Sequence, residues 1–186
     1  MQKIILASQS PRRKQLLEWA EIPFEIVVPE TDETYPGHLS LDDIAMHIAR
    51  NKALAIRSAI KDPKPILAAD TIVVLEGQLI GKPTDREDAV KILLSLSGKE
   101  HQVITGVVIL NAADEISFAE TTRVQFHPLS LAQIEFYVDN YKPYDKAGAY
   151  AIQEWIGVTG IKSITGDFYN VMGLPVSRVV QALHSL

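Results

Sequence analysis

Short buried strands alternating with amphipathic helices are what this sequence predicts, and three observations carry the prediction. Ile66–Leu75 is a near-continuous apolar run, which reads as a strand buried on both faces. Helix starts are marked by Ser10-Pro11, Ser40-Leu41-Asp42-Asp43, Thr84-Asp85-Arg86-Glu87 and Ser130-Leu131-Ala132-Gln133. Gln102–Leu110 and Glu115–Phe126 are two longer stretches joined by a turn at Asn111–Asp114, the pattern of an antiparallel meander. The chain has 186 residues, 47% hydrophobic and 22% charged, enough to bury a sizeable core as one large domain or two small lobes.

Composition removes several classes of function. The net charge of -5 argues against binding a polyanion over a wide face, so nucleic acid is not an expected partner. The absence of cysteine excludes disulfides, thiolate catalysis and cysteine metal sites. Ile4–Ala7 is too short for a signal-peptide core, and no apolar run approaches the roughly 18 residues of a membrane helix. The expectation is a soluble, cytoplasmic protein without a membrane partner.

Taken in order, Lys3–Ala7 is a short buried strand, and Ser10 caps a helix to about Ala20 with Pro11 in the first helical position. Arg12, Arg13 and Lys14 then place positive charge where the helix end is already positive. Such a turn is either a solvated basic patch or a site for a bound anion; with the preceding strand and Ser8-Gln9-Ser10, the second reading is favoured. Phe24–Val28 is a second strand. After Pro29 comes the acidic loop Glu30-Thr31-Asp32-Glu33, in which Asp32 or Glu33 is a candidate carboxylate for a hard cation.

The helix Leu41–Ile60 shows an apolar stripe of Leu41, Ala45, Ile48, Ala55 and Ala59 that passes through Lys52. Two readings of Lys52 stand open: a snorkelling surface lysine, or an ammonium reaching a buried anion site. Asp62-Pro63-Lys64-Pro65 ends that helix and introduces the central strand, where Asp70 is a lone acid in apolar surroundings. A carboxylate there is either tied to backbone amides or faces a cation, because burying it unpaired costs several kcal/mol. Glu76-Gly77 is a turn signal between Val73–Leu75 and Gln78–Ile80, so a hairpin is expected to return Gly81-Lys82-Pro83 towards Asp70. An acid and a lysine converging on one loop suggest phosphate and metal handling.

The helix after Thr84 should bury Ala89, Ile92, Leu93 and Leu96, and the one after Ser130 should run to about Asn140. Small residues in Asp145–Gln153 permit close backbone approach or a tight turn. Two glycines bracket an aromatic turn in Gly166–Pro175, for which packing is the default explanation, and a last helix from Pro175 should bury Val176, Val179, Val180 and Leu183.

Ser8-Gln9-Ser10-Pro11-Arg12-Arg13, Ala69-Asp70-Thr71, Gly81-Lys82-Pro83, Ser97-Gly98 with His101, Asp145–Gln153 and Gly166–Pro175 stand in the order and spacing of the Maf-like nucleoside triphosphate pyrophosphatases. The resemblance spans essentially the whole chain. Arg12, Thr71 and Gln153 resemble the pattern of the branch acting on dTTP and UTP. Two departures are Glu154, where relatives often carry glycine after the glutamine, and Asp32 beside Glu33, where two glutamates are common.

The resemblance implies an α/β fold of the Maf/ITPase-like kind: a long bent mixed sheet flanked by helices, a single domain over 1–186 with two lobes and a central cleft. It implies a homodimer and a divalent cation, Mg2+ or Mn2+. The implied reaction is hydrolysis of dTTP and UTP, with modified pyrimidine nucleotides as further candidates, to the monophosphate and pyrophosphate. In that reading Asp70 takes a proton from the attacking water. Glu33, with Asp70 as a possible second ligand, holds the metal. Lys82 meets phosphate oxygens, and Arg12, Arg13 and Lys52 clamp the triphosphate. Ser8 donates to phosphate, Thr71 belongs to the substrate pattern and Gln153 reads the pyrimidine. Phosphoryl transfer asks mainly for positioning and charge stabilisation, which is what this residue set supplies.

Two other classes compete with this reading. An aspartyl-phosphate phosphatase needs a second Asp two residues after the nucleophile, and Asp70 is followed by Thr71-Ile72. A non-catalytic nucleotide-binding regulator of cell division is the alternative that the resemblance itself raises.

Overall fold

The computed structural model describes residues 2–28, 30–61, 63–112 and 114–186. Pro29 before the acidic loop, Asp62 of the expected helix stop and Ala113 of the expected meander turn lie outside the described residues. The strands are β1 (Ile4–Leu6), β2 (Phe24–Ile26), β3 (Ile66–Leu75), β4 (Gln78–Ile80), β5 (Glu100–Asn111), β6 (Asp114–Phe126) and β7 (Ile161–Thr165). The helices are α1 (Pro11–Trp19), α2 (Leu41–Ala59), α3 (Arg86–Leu96), α4 (Leu131–Tyr141), α5 (Trp155–Gly160), α6 (Phe168–Met172) and α7 (Val176–His184), with a 3-10 turn at Ala147–Ala149. The fold is mixed α/β: a seven-stranded sheet in the order β2-β1-β3-β5-β6-β7, with β4 on β3. β1 pairs parallel with β2 and β3, while β4 on β3 and β7 on β6 are antiparallel.

The chain divides into two compact units. The first takes Met1–Thr71, Ile104–Glu120 and Gly173–Leu186. All three residues of β1 are buried, as a strand flanked on both sides requires. Ile5, Ile66 and Val108 of the sheet meet Ala49, Ala53 and Ile56 of α2 in its core. α2 begins where the Ser40 hydroxyl accepts from the Asp43 N–H, with Asp42 and Asp43 favourable at the positive helix end. Its buried face is Ile44, Ala45, Ile48, Ala49, Ala53 and Ile56, so the expected stripe is corrected at Leu41, Ala55 and Ala59. Steps of four and three keep these positions on one side of a helix of 3.6 residues per turn, but the buried face is centred beside that line, towards Ala49 and Ala53, and alanines mark neither side by themselves. The helix lies close on the sheet because position 106 is glycine: a Cβ there would come within 2.3 Å of the Ala45 and Met46 backbone. In α7 only Val179 and Leu183 are fully buried, and Val176 and Val180 are half-buried.

The second unit takes Ile72–Val103 and Thr121–Met172. The expected hairpin forms in register, Val73 opposite Ile80 and Leu75 opposite Gln78. Glu76 and Gly77 turn it with φ of 52° and 80°, the handedness that matches strand twist. α3 is capped by Asp85 rather than Thr84: the Asp85 carboxylate accepts from the Asp88 N–H at 2.8 Å. Ala89, Leu93 and Leu96 are its buried face, with Ile92 at the margin. α4 carries the full reciprocal cap between Ser130 and Gln133. α5, β7 and α6 were not expected from sequence pattern. Among the described residues no helix is long and apolar enough to cross a membrane.

Candidate active site

In the first unit, β1 delivers Ser8 to the start of α1. Ser10 caps that helix by accepting from the Arg13 N–H, and Pro11 opens it. The Ser8 hydroxyl is buried and accepts from the Ser10 N–H and from Arg13 Nη1, each at 3.2 Å. Arg13 donates further from Nε to the Gly173 carbonyl at 2.8 Å and from Nη2 to the Thr71 hydroxyl at 3.0 Å. The guanidinium is therefore locked in orientation by three protein partners. Its pKa is lowered first by burial and then by neighbouring Arg12, while Asp70 and Glu33 oppose the shift. A buried cation beside another cation is a standing attraction for an anion. Arg12, half-buried in the same turn, adds to that field.

Asp70 lies in β3 directly before Thr71, and is buried. Its Oδ1 accepts from Lys52 Nζ at 2.6 Å, and the same ammonium donates to Glu33 Oε1 at 2.9 Å. The side chains of Lys52 and Asp70 are 13% and 12% exposed, so Lys52 does not snorkel; it reaches a carboxylate pair. Of the two acids left open in the loop, Glu33 is the one that joins Asp70 through Lys52. Thr71 links the acid to the basic turn, exchanging a hydrogen bond with Thr105 at 2.9 Å besides accepting from Arg13. Sequence reasoning missed Thr105 and the Gly173 carbonyl. The one signal for the first was a hydroxyl inside a buried strand, and the second is a backbone group that no residue type announces.

Two carboxylates sharing one cation form a hard-oxygen donor set. Mg2+ commonly takes one or two carboxylates and completes its shell with phosphate oxygens and water, so Glu33 and Asp70 fit such an ion. Among the described residues no larger cluster of His, Asp and Glu offers a metal site.

Lys82 and Gln153 belong to the second unit. Lys82 is exposed on the loop after β4, and Gln153 is exposed after the buried residues Ala151 and Ile152. Their segments are joined directly: the Gly148 N–H donates to the Gly81 carbonyl at 3.1 Å. Tyr150, in the same segment, shares a 2.7 Å hydrogen bond with His101 Nε2. Burial pushes His101 down to about 4 and raises the Tyr150 phenol, so both are neutral near pH 7.

The family model for Maf-like protein matches residues 3–186. A dTTP/UTP pyrophosphatase of Cytophaga hutchinsonii is 50% identical over 183 residues, covering 98% of this chain and 84% of that protein. One of Bacteroides thetaiotaomicron is 48% identical over 185 residues, covering 99% and 96%. Among solved structures, the Staphylococcus aureus Ham1 protein is similar at a TM-score of 0.44 and 16% identity, over 67% of this chain and 72% of that one. With a family model spanning nearly its whole length and relatives at about half identity, this chain belongs to the Maf-like protein family.

Proposed function

We propose that this protein is a pyrophosphate-releasing nucleoside triphosphate hydrolase acting on dTTP and UTP in the cytoplasm, as a homodimer that uses a divalent cation. The observation that carries the reading is the buried Asp70, paired with Lys52 and adjoining the Arg13–Thr71 tie, in a chain 48% identical over 185 residues to a dTTP/UTP pyrophosphatase.

Arg12 and the charge of Arg13 attract the triphosphate, and Arg13 holds Ser8 and Thr71 in fixed places beside it. Asp70 accepts the proton of the attacking water, and Lys52 keeps its carboxylate aimed by one hydrogen bond. Lys82 supplies a further positive charge for phosphate oxygens. Mg2+ or Mn2+, held by Glu33 and Asp70, would neutralise charge on the triphosphate. Water adds at the α-phosphorus, the α–β bridging P–O bond breaks, and pyrophosphate leaves with that oxygen. Gln153 presents both an acceptor and a donor, which suits the N3–H and a neighbouring carbonyl of uracil or thymine.

Incubation with UTP and Mg2+, followed by product identification, tests the proposal. UMP and pyrophosphate are the expected products. UDP with orthophosphate, or tight binding without turnover, overturns it. Light scattering in solution reads the dimer, and a metal panel identifies the cation.

A further inference from the structure

Gln153 is an exposed side chain on a backbone that is held from several sides. Just upstream, Gly148 and Ala149 both take left-handed φ, 73° and 57°, and for alanine that conformation is strained. Such a turn persists where surrounding contacts over-determine it. Two residues after Ala149, the Ala151 N–H donates to the Tyr137 hydroxyl at 3.1 Å. Tyr137 is fully buried in α4 and stacked on Tyr141. Its hydroxyl donates in turn to Glu154 Oε2 in a short hydrogen bond. The other oxygen, Glu154 Oε1, lies 3.7 Å from the ammonium of Lys146, which also bonds Asp145 at 2.7 Å. Lys146 is itself buried and immediately precedes the strained turn. Gly157 closes the far side, since a Cβ there would overlap the Ile152 carbonyl oxygen at 1.7 Å.

The residues on both sides of Gln153 are thus tied to one phenolic oxygen: Ala151 through its N–H and Glu154 through its carboxylate. From this geometry we propose that Tyr137 and Glu154 are positioning residues for Gln153, a brace that sets which base the protein accepts. The proposal rests on the reading of Gln153 as the base contact. None of these groups is among the residues assigned above to the phosphate chemistry; their part is to hold a two-pronged amide at a fixed height and rotation. A mispositioned amide satisfies one base hydrogen bond instead of two, and discrimination falls because the site no longer penalises a poor match.

The experiment measures kcat and KM for UTP and ATP in Tyr137→Phe, Glu154→Ala, Glu154→Gln and Gln153→Ala. Tyr137→Phe removes one oxygen and keeps the ring. It and Glu154→Ala should each lower the UTP-to-ATP ratio of kcat/KM about fivefold or more. The loss should come through the KM for UTP, with kcat changed by less than about twofold. Glu154→Gln keeps an acceptor for the Tyr137 hydroxyl and should retain most of the ratio. Combined with Gln153→Ala, neither brace variant should lower the ratio further. An unchanged ratio in both brace variants while Gln153→Ala lowers it overturns the proposal, as does an equal loss for UTP and ATP. An unchanged ratio in Gln153→Ala removes the base-reading role, and the brace with it. Should Tyr137→Phe fail to fold, Glu154→Ala decides, because that side chain is partly exposed and its loss leaves the α4 packing in place.

Discussion

The acid cluster of the first unit and the Gln153 segment of the second are built from different materials. Around Asp70 many of the contacts start from charged side chains: Lys52 donates to Asp70 and Glu33, and beside them Arg13 donates to Ser8, Thr71 and a carbonyl. Around Gln153 many of the ties run through backbone groups and neutral hydroxyls: Gly148 to Gly81, Tyr150 to His101, Ala151 to Tyr137. Charge acts over several ångströms and does not distinguish one base from another. Hydrogen bonds act over a few tenths of an ångström and do. The contrast separates the labour: the first region should govern turnover of every nucleotide, and the second should govern the choice among them.

The change that tests this division most severely is Asp70→Asn. It keeps the shape and removes the proposed base, so turnover should fall by about two orders of magnitude or more for UTP and ATP alike, with the fold intact. Near-normal turnover in excess Mg2+ would remove Asp70 from its role. Lys52→Met comes next. It leaves a buried carboxylate without its cation, and a thermal melt should register a loss of about 3 kcal/mol. If Glu33 and Asp70 hold a divalent cation, Mg2+ should raise the Tm of this variant more than that of the parent. A neutral or stabilising effect would mean that the pair contributes nothing.

On the other side, Gln153→Ala should lower kcat/KM for UTP by about tenfold, or about 1.4 kcal/mol, with little effect on weak purine turnover. The smallest effect expected concerns His101. Its pKa is held near 4 by burial, below the ordinary 6.5, so the unfolded chain binds the extra proton between those values. The stability this provides is complete above about pH 6.5 and is lost as pH falls towards 4. Denaturant titrations at pH 7 and 5.5 should differ by about 1 kcal/mol from this group. His101→Gln should flatten that difference, and an unchanged slope would show that His101 is not its source.

The same contrast decides what could be read in advance. Asp70 stood out because an acid in an apolar strand has few tolerable explanations, and Lys52 because a lysine interrupts an apolar face. The hairpin was legible because Glu76-Gly77 sits between two short strand patterns. Side-chain chemistry of that kind is written locally. The tie from Tyr137 to Glu154 joins residues 17 apart, and no local pattern marks it. α5 was hidden for another reason: Trp-Ile-Gly-Val-Thr-Gly combines two glycines with β-branched residues, a poor helix by propensity that only tertiary contacts can hold. The cap of α3 was displaced by one residue because Thr84 and Asp85 are both good caps, and only the orientation of the entering chain chooses between them.

The ratio of kcat/KM for UTP to that for ATP, measured in the parent, Asp70→Asn and Gln153→Ala, tests the separation of the two regions most directly. The account predicts that Asp70→Asn lowers both values together and leaves the ratio within about twofold, while Gln153→Ala collapses the ratio by about tenfold through UTP alone. A ratio that shifts in Asp70→Asn, or a Gln153→Ala variant that loses UTP and ATP equally, would contradict it.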